Sequence, residues 1–123
     1  MITEDYVSFE IAKLLKEKGF NEYVEWAYRY FAENNIRVIH INEKHASTLI
    51  ENCYPYITLQ MAMKWLREAC GLIISIEFQA ICSTWKWRIY IKSSNKKHTD
   101  FQHYNKYEEA VEAAIKYCLE HLI

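Results

Sequence analysis

Cysteine and histidine are the residues of this sequence that could bind a metal ion or act as a nucleophile and its base. The cysteines are Cys53, Cys70, Cys82 and Cys118, and the histidines are His40, His45, His98, His103 and His121. No two cysteines have the close spacing of a zinc or redox pair, and no two histidines have an HxxxH spacing. We therefore expect no metal site and no cofactor, and we interpret the four cysteines as structural thiols.

The sequence carries no known catalytic motif: it has no Walker lysine loop, no GxSxG and no HExxH. Its two glycines, Gly19 and Gly71, both follow predicted helices and are interpreted as helix ends. Glu108 and Glu109 are consecutive on a predicted helix and point about 100° apart, so they suit the positive end of the helix dipole better than acid–base chemistry. We expect that the protein is not an enzyme.

Composition indicates an ordinary globular protein. The chain has 123 residues, of which 51% are apolar and 25% charged, and its net charge is -1. This balance excludes the strongly basic composition of a dedicated nucleic-acid-binding protein, and the length predicts a single domain over residues 1–123. Aromatic residues make up 15% of the chain, which favours an aromatic core or, alternatively, an aromatic binding surface.

The first residues of the chain have no basic segment followed by an apolar segment, so no signal peptide is expected. No apolar run approaches the ~20 residues that a membrane helix needs. We therefore expect a cytoplasmic protein with no membrane contact.

Hydrophobic periodicity predicts an α+β fold in the order α-(α)-(β)-α-β-β-(β)-α, in which a small antiparallel sheet of two to four strands carries helices on one face. The predicted helices cover 5–18, 21–35, 59–70 and 106–122, and the predicted strands cover 37–41, 72–81, 85–92 and 99–103. Residues 42–57 are ambiguous; residues 46–52 could form a short helix, which the following Tyr54-Pro55-Tyr56 would end.

The first two helices are predicted from different features of the sequence. The first is predicted to end at Gly19, with Phe20 folding back onto Leu15 as in a Schellman cap. The second is predicted because apolar residues recur at helical spacing between positions 23 and 31. Those residues are Tyr23, Trp26, Ala27, Tyr30 and Phe31.

The predicted hairpin of 72–81 and 85–92 carries the main candidate binding residues. Its second strand alternates, so that Trp87 faces the helices while a cationic stripe faces solvent. The stripe with its following turn consists of Lys86, Arg88, Tyr90, Lys92, Lys96 and Lys97. Cations with an interleaved aromatic ring suit a nucleic-acid backbone. The alternative is a solvated strand face whose lysines discourage edge pairing.

The last helix is predicted to begin at an Asn105 cap with Glu108 three residues on, and to pack its apolar stripe onto the sheet. The residues predicted to form the core are Leu66, Trp87, Val111, Ile115 and Leu119.

Three segments in order carry a resemblance: residues 12–20 end in KEKGF, residues 58–68 read TLQMAMKWLRE, and residues 107–117 read YEEAVEAAIKY. The chain resembles small uncharacterised proteins encoded by phages, prophages and mobile elements of gut anaerobic bacteria, which show KEKGF, PTLQxAxxWLRE and YEEAxEAAIK. It departs from that pattern because two residues separate Pro55 from Thr58. The resemblance implies a genomic context, without an activity or functional residues to transfer.

The expected function is that of a phage-type accessory protein, a non-catalytic module that binds an unknown protein partner or a second copy of itself through exposed aromatic residues. The alternative is weak nucleic-acid binding through the basic stripe between Lys86 and Lys97.

Overall fold

The computed structural model of the protein describes residues 2–41, 51–100 and 102–123. Its internal contacts divide the chain into two units, Met1–Thr58 and Leu59–Ile123. Each unit contains an antiparallel sheet of three strands, and the described residues include three α-helices. The predicted α+β class is confirmed, whereas the single domain over residues 1–123 stays a prediction.

In the first unit, helix α1 spans Phe9–Glu17 and begins at Ser8, whose hydroxyl accepts a hydrogen bond from the Ile11 N–H at 3.2 Å. The helix therefore starts later than the predicted residue 5. It ends in the predicted Schellman cap: Gly19 has φ +98°, and the Phe20 N–H donates to the Leu15 carbonyl at 2.9 Å. Leu15 and Phe20 are both buried.

The helix predicted over 21–35 is wrong. Strand β1, Trp26–Ala32, and strand β2, Asn35–His40, form an antiparallel hairpin there. The aromatic residues that match a helical period also match the two-residue period of a strand, and aromatic residues favour strands. Asn34, at φ +61°, adopts the left-handed conformation that closes the turn between the strands. The predicted strand at 37–41 corresponds to β2.

Strand β3, Cys53–Pro55, pairs with β1 and completes the order β2-β1-β3. Its carbonyl at Cys53 accepts a hydrogen bond from Lys16 of α1 at 2.9 Å. The core of this unit includes Ile11 and Leu15 of α1. Most of the short helix predicted over 46–52 lies outside the described residues.

In the second unit, helix α2 spans Leu59–Cys70 and ends before Gly71, at φ +68°. Strands β4, Leu72–Gln79, and β5, Thr84–Ile91, then form the predicted hairpin. The predicted third strand is displaced: β6 spans Lys96–Thr99 rather than 99–103, since Asn95 at φ +55° closes the preceding turn early. The order of this sheet is β4-β5-β6.

Helix α3 spans Tyr107–Tyr117 and continues into a π-helical turn, Cys118–Leu122. The prediction that Asn105 caps the N-terminus of this helix is wrong. Lys106 occupies that position and makes no side-chain capping bond, so the acidic first turn of α3 carries the N-terminal signal instead.

Helices α2 and α3 pack on the sheet of the second unit, with α3 against both β4 and β5. The five residues predicted to form the core are all buried, as predicted: Leu66, Trp87, Val111, Ile115 and Leu119. Among the described residues, no helix is both long enough and apolar enough to cross a membrane.

Candidate functional site

The β1–β2 hairpin presents an aromatic and apolar surface, which we call the hairpin face. Its members share one side of the sheet because their positions alternate along both strands and pair in register. They are Trp26, Tyr28 and Tyr30 of β1, and Ile36, Val38 and His40 of β2. The large exposed members are Trp26 at 45%, Tyr30 at 38%, Ile36 at 38% and Val38 at 42%.

Ring contacts hold the aromatic members in place. Phe9 of α1 meets Tyr28 edge-on at 5.7 Å and Tyr30 stacked at 6.4 Å between ring centroids. The Tyr28 hydroxyl donates to the Val7 carbonyl, and Tyr28 also meets Tyr56 edge-on at 5.1 Å. Such contacts fix the rings before any partner arrives, which lowers the entropy cost of binding.

The opposite side of the same hairpin is cationic near the turn. Arg29 and Arg37 pair across the strands, and both guanidinium groups lie over the Phe31 ring, at 5.4 and 5.7 Å from its centroid. Phe31 is 51% exposed. The hairpin therefore presents apolar side chains on one side and cations on the other.

Strand β2 is an edge strand, since it pairs with β1 on one side and no described strand pairs with its other side. All its side chains except that of Ile39 are exposed. An exposed edge offers backbone N–H and C=O groups to a strand from another chain.

The predicted basic residues lie on and around β5 and β6. Lys86, Arg88 and Tyr90 alternate along β5 on the side opposite Trp87, and Lys97 joins them because it pairs with Tyr90. Lys96 pairs with Ile91 and lies on the other side of the sheet. Lys92 follows the end of β5, where its N–H donates to the Gly71 carbonyl at 2.9 Å. The structure therefore groups four of the six predicted residues on one side.

A carboxylate reduces the charge of this group. Glu77 of β4 lies directly opposite Lys86, and its Oε1 is 3.2 Å from Arg88 Nη1. A hydrogen bond with Tyr90, and next the attraction of the Glu77 carboxylate, raise the pKa of Arg88 above its usual value. Arg88 is thus a partnered cation, and the basic stripe is weaker than the sequence predicts.

The thiols differ in their surroundings. Cys53 and Cys118 are buried, Cys70 is partly buried, and Cys82 is exposed. Burial raises the pKa of Cys70, and burial first and the neighbouring Cys70 second raise the pKa of Cys118 to about 12. The structural interpretation suits Cys53 and Cys118. Within residues 2–41, 51–100 and 102–123, no three metal-ligating side chains cluster.

Sequence reasoning missed the hairpin face and the surroundings of Cys82. The alternation of Trp26, Tyr28 and Tyr30, interrupted by Arg29, is the sequence signal for the hairpin face.

A scan against protein-family models, a search of curated proteins and a search of solved structures found no match to the chain.

Proposed function

We propose that this protein is a non-catalytic protein-interaction module and that the hairpin face is its contact surface. The observation that carries the proposal is the exposure of four large apolar side chains on one face of a hairpin whose outer strand is an edge. Adjacent exposed apolar residues are typical of interaction sites. The resemblance to phage and mobile-element proteins supports an accessory role.

The partner that this surface fits best is an extended peptide segment that pairs with β2. Backbone hydrogen bonds to the edge of β2 that no described strand occupies would provide affinity, and side chains at alternate positions would provide specificity. One side of the added strand would pack its apolar residues against Ile36 and Val38, while the other side would lie beside Arg37. The partner segment should therefore alternate apolar and acidic residues.

This proposal is tested by selecting, from a displayed library of random peptides, those that bind the full chain. Enriched peptides should carry apolar residues at every second position and Asp or Glu between them. N-methylation of the peptide backbone at positions that bond to β2 should abolish binding, whereas N-methylation at the intervening positions should not.

A matched pair of variants locates the surface. Val38→Lys places a charge on the edge strand β2 and should weaken peptide binding at least about tenfold. Ile73→Lys is the control, because Ile73 is 37% exposed on the edge strand β4 of the other sheet, and it should leave binding unchanged. Equal binding by the parent and Val38→Lys would contradict the proposal. If the parent forms a dimer in sedimentation equilibrium and Val38→Lys dissociates it, the partner of this surface is a second copy of the chain.

A second candidate function is weak nucleic-acid binding through the basic stripe. The grouping of Lys86, Arg88, Tyr90 and Lys97 on one side of the sheet favours it. The Glu77 carboxylate in the same group opposes it. We therefore rank this function second.

A further inference from the structure

Cys82 lies in the turn between β4 and β5, and a distant segment of the chain brings His103 beside it. Tyr104 exchanges two backbone hydrogen bonds with Trp85, at 2.7 and 2.8 Å. This pairing places His103 next to the turn, although the two residues are 21 positions apart in the sequence. The approach of the imidazole to the thiol is therefore a feature of the tertiary fold.

Thr84 lies between the thiol and the imidazole. Its Oγ1 is 2.8 Å from Cys82 Sγ and 2.9 Å from His103 Nδ1, while Sγ and Nδ1 are 3.9 Å apart. Cys82 and His103 are exposed. The three side chains form a continuous chain of hydrogen bonds that a small molecule can reach from solvent.

This arrangement connects a nucleophile to a base. A hydroxyl donates one hydrogen bond and accepts others, so Thr84 can accept the thiol proton while donating its own to Nδ1. This direction requires the imidazole tautomer that carries its proton on Nε2, so that Nδ1 accepts from the Thr84 hydroxyl. A thiol within reach of a histidine base is the pattern of an activated cysteine nucleophile.

We propose that Cys82 is a reactive thiol that forms mixed disulfides with small disulfides, and that His103 removes its proton through the Thr84 hydroxyl. The proposal rests on the second unit alone and is independent of the hairpin face.

The exchange needs no reagent besides the small disulfide. The Cys82 proton moves to Thr84 Oγ1 as the Thr84 proton moves to His103 Nδ1. The Cys82 sulfur attacks one sulfur of the small disulfide, so a new S–S bond forms as the original S–S bond breaks. The leaving thiolate takes the proton from the imidazolium and departs as a thiol. One disulfide is consumed and one is formed.

The other cysteines provide internal controls. Cys53 and Cys118 are buried and out of reach of a reagent in the folded chain. Burial also keeps Cys70 and Cys118 in their protonated, unreactive form, since it raises the pKa of both thiols. Of the four cysteines of the folded chain, only Cys82 should therefore react rapidly with a small disulfide.

Stopped-flow measurement of the folded full chain with dithiodipyridine, a small disulfide whose released thiol absorbs light, tests the proposal. One thiol should react rapidly, and Cys82→Ser should remove that phase. Thr84→Val keeps the shape of the side chain without the hydroxyl, and it should slow the phase about tenfold or more, as should His103→Gln. Thr84→Ser restores the hydroxyl and should restore the rate. Mass spectrometry after incubation with glutathione disulfide should place the adduct on Cys82.

The parent and the Thr84 and His103 variants unfolded in urea provide the reference, because Cys82 then reacts as an ordinary thiol in each of them. A folded Thr84→Val variant that reacts at the parent rate would overturn the role of the hydroxyl. A folded parent whose Cys82 reacts no faster than in urea would overturn the proposal entirely.

Discussion

Arg29 and Arg37 lie directly opposite each other across β1 and β2, and both approach the Phe31 ring. Like charges at directly opposed positions of an antiparallel pair destabilise a sheet. Within the described part of the chain, neither guanidinium forms an ion pair with an acidic side chain. The unbound hairpin therefore carries a repulsion that a carboxylate from a partner strand would relieve.

A double-mutant cycle with Arg29→Gln and Arg37→Gln measures this repulsion, because the cycle cancels the separate contact of each arginine with Phe31. The coupling in the free energy of unfolding should be unfavourable by about 0.2–1 kcal/mol and should shrink as salt is added. The ion pair of Arg88 and Glu77 supplies a control cycle whose coupling should have the opposite sign. A favourable Arg29–Arg37 coupling at low salt would refute the interpretation.

Trp87 is 3% exposed in the core of the second unit. Trp87→Ala should lower the free energy of unfolding by about 3–5 kcal/mol, because it removes a large buried side chain and leaves a cavity. Trp26→Ala is the matched control on the hairpin face and should cost about 1 kcal/mol or less. Urea denaturation monitored by circular dichroism distinguishes the two, and equal costs would contradict the assignment of the strand faces.

Gly19 ends α1 at φ +98°, and a β-carbon added there would meet no other atom within 4 Å. Gly19→Ala should therefore destabilise the protein through its backbone alone, by about 1 kcal/mol. Lys18→Ala, one position earlier at φ -89°, should be close to neutral. A Gly19→Ala variant as stable as the parent in thermal unfolding would remove the argument that the left-handed conformation fixes this helix end.

Cys118 makes stability depend on pH in the alkaline range. Its pKa is about 12 in the folded chain, against an ordinary value of 9.0, because the thiol is buried. Between these values the unfolded chain has lost the proton and the folded chain retains it, so the free energy of unfolding falls as pH rises. Stability from this group is complete below about pH 9 and is lost progressively up to about pH 12.

Cys118→Ala tests this prediction. The variant is expected to be less stable at neutral pH because of the cavity. Its free energy of unfolding should fall less steeply than that of the parent between pH 9 and 11, by up to about 1.4 kcal/mol per pH unit. Parallel pH profiles for the parent and Cys118→Ala would show that the buried thiol is not the cause.

Nucleic-acid binding should be weak, with a Kd of roughly 10⁻⁴–10⁻⁶ M, and should fade as salt rises. Lys86→Glu with Lys92→Glu should abolish it, whereas Lys13→Glu with Lys64→Glu makes the same change in net charge elsewhere and should affect it less. Glu77→Gln removes the carboxylate beside Arg88 and should tighten binding. Fluorescence anisotropy with RNA and DNA duplexes over a salt series measures these effects. Nanomolar binding at physiological salt would make nucleic-acid binding the favoured function instead of protein interaction through the hairpin face.

Local signals in the sequence predicted the second unit well. The alternation around Trp87 and the glycine after α2 each have one physical interpretation, so the β4–β5 hairpin and the core follow from them. Strand β1 is mistaken for a helix because Trp26 and Tyr30 satisfy both periods, and tertiary packing of Phe9 against Tyr30 decides between them.

The two candidate sites depend on information that the sequence does not carry locally. His103 reaches Cys82 only because Tyr104 pairs with Trp85. The partial neutralisation of Arg88 by Glu77 depends on the register between β4 and β5. A register shift of one residue would move every side chain of β5 to the other side of the sheet, and residue spacing alone does not exclude it.

The edge of β2 that no described strand pairs with also bears on how the protein behaves at high concentration. An exposed edge with Ile36, Val38 and Ile39 in a run of six residues is a template for the growth of cross-β fibrils. Arg37 interrupts that run at its centre, where a charge repels the same residue of an incoming copy. The arginine that would select an acidic partner would thus also oppose the growth of fibrils from the unbound chain.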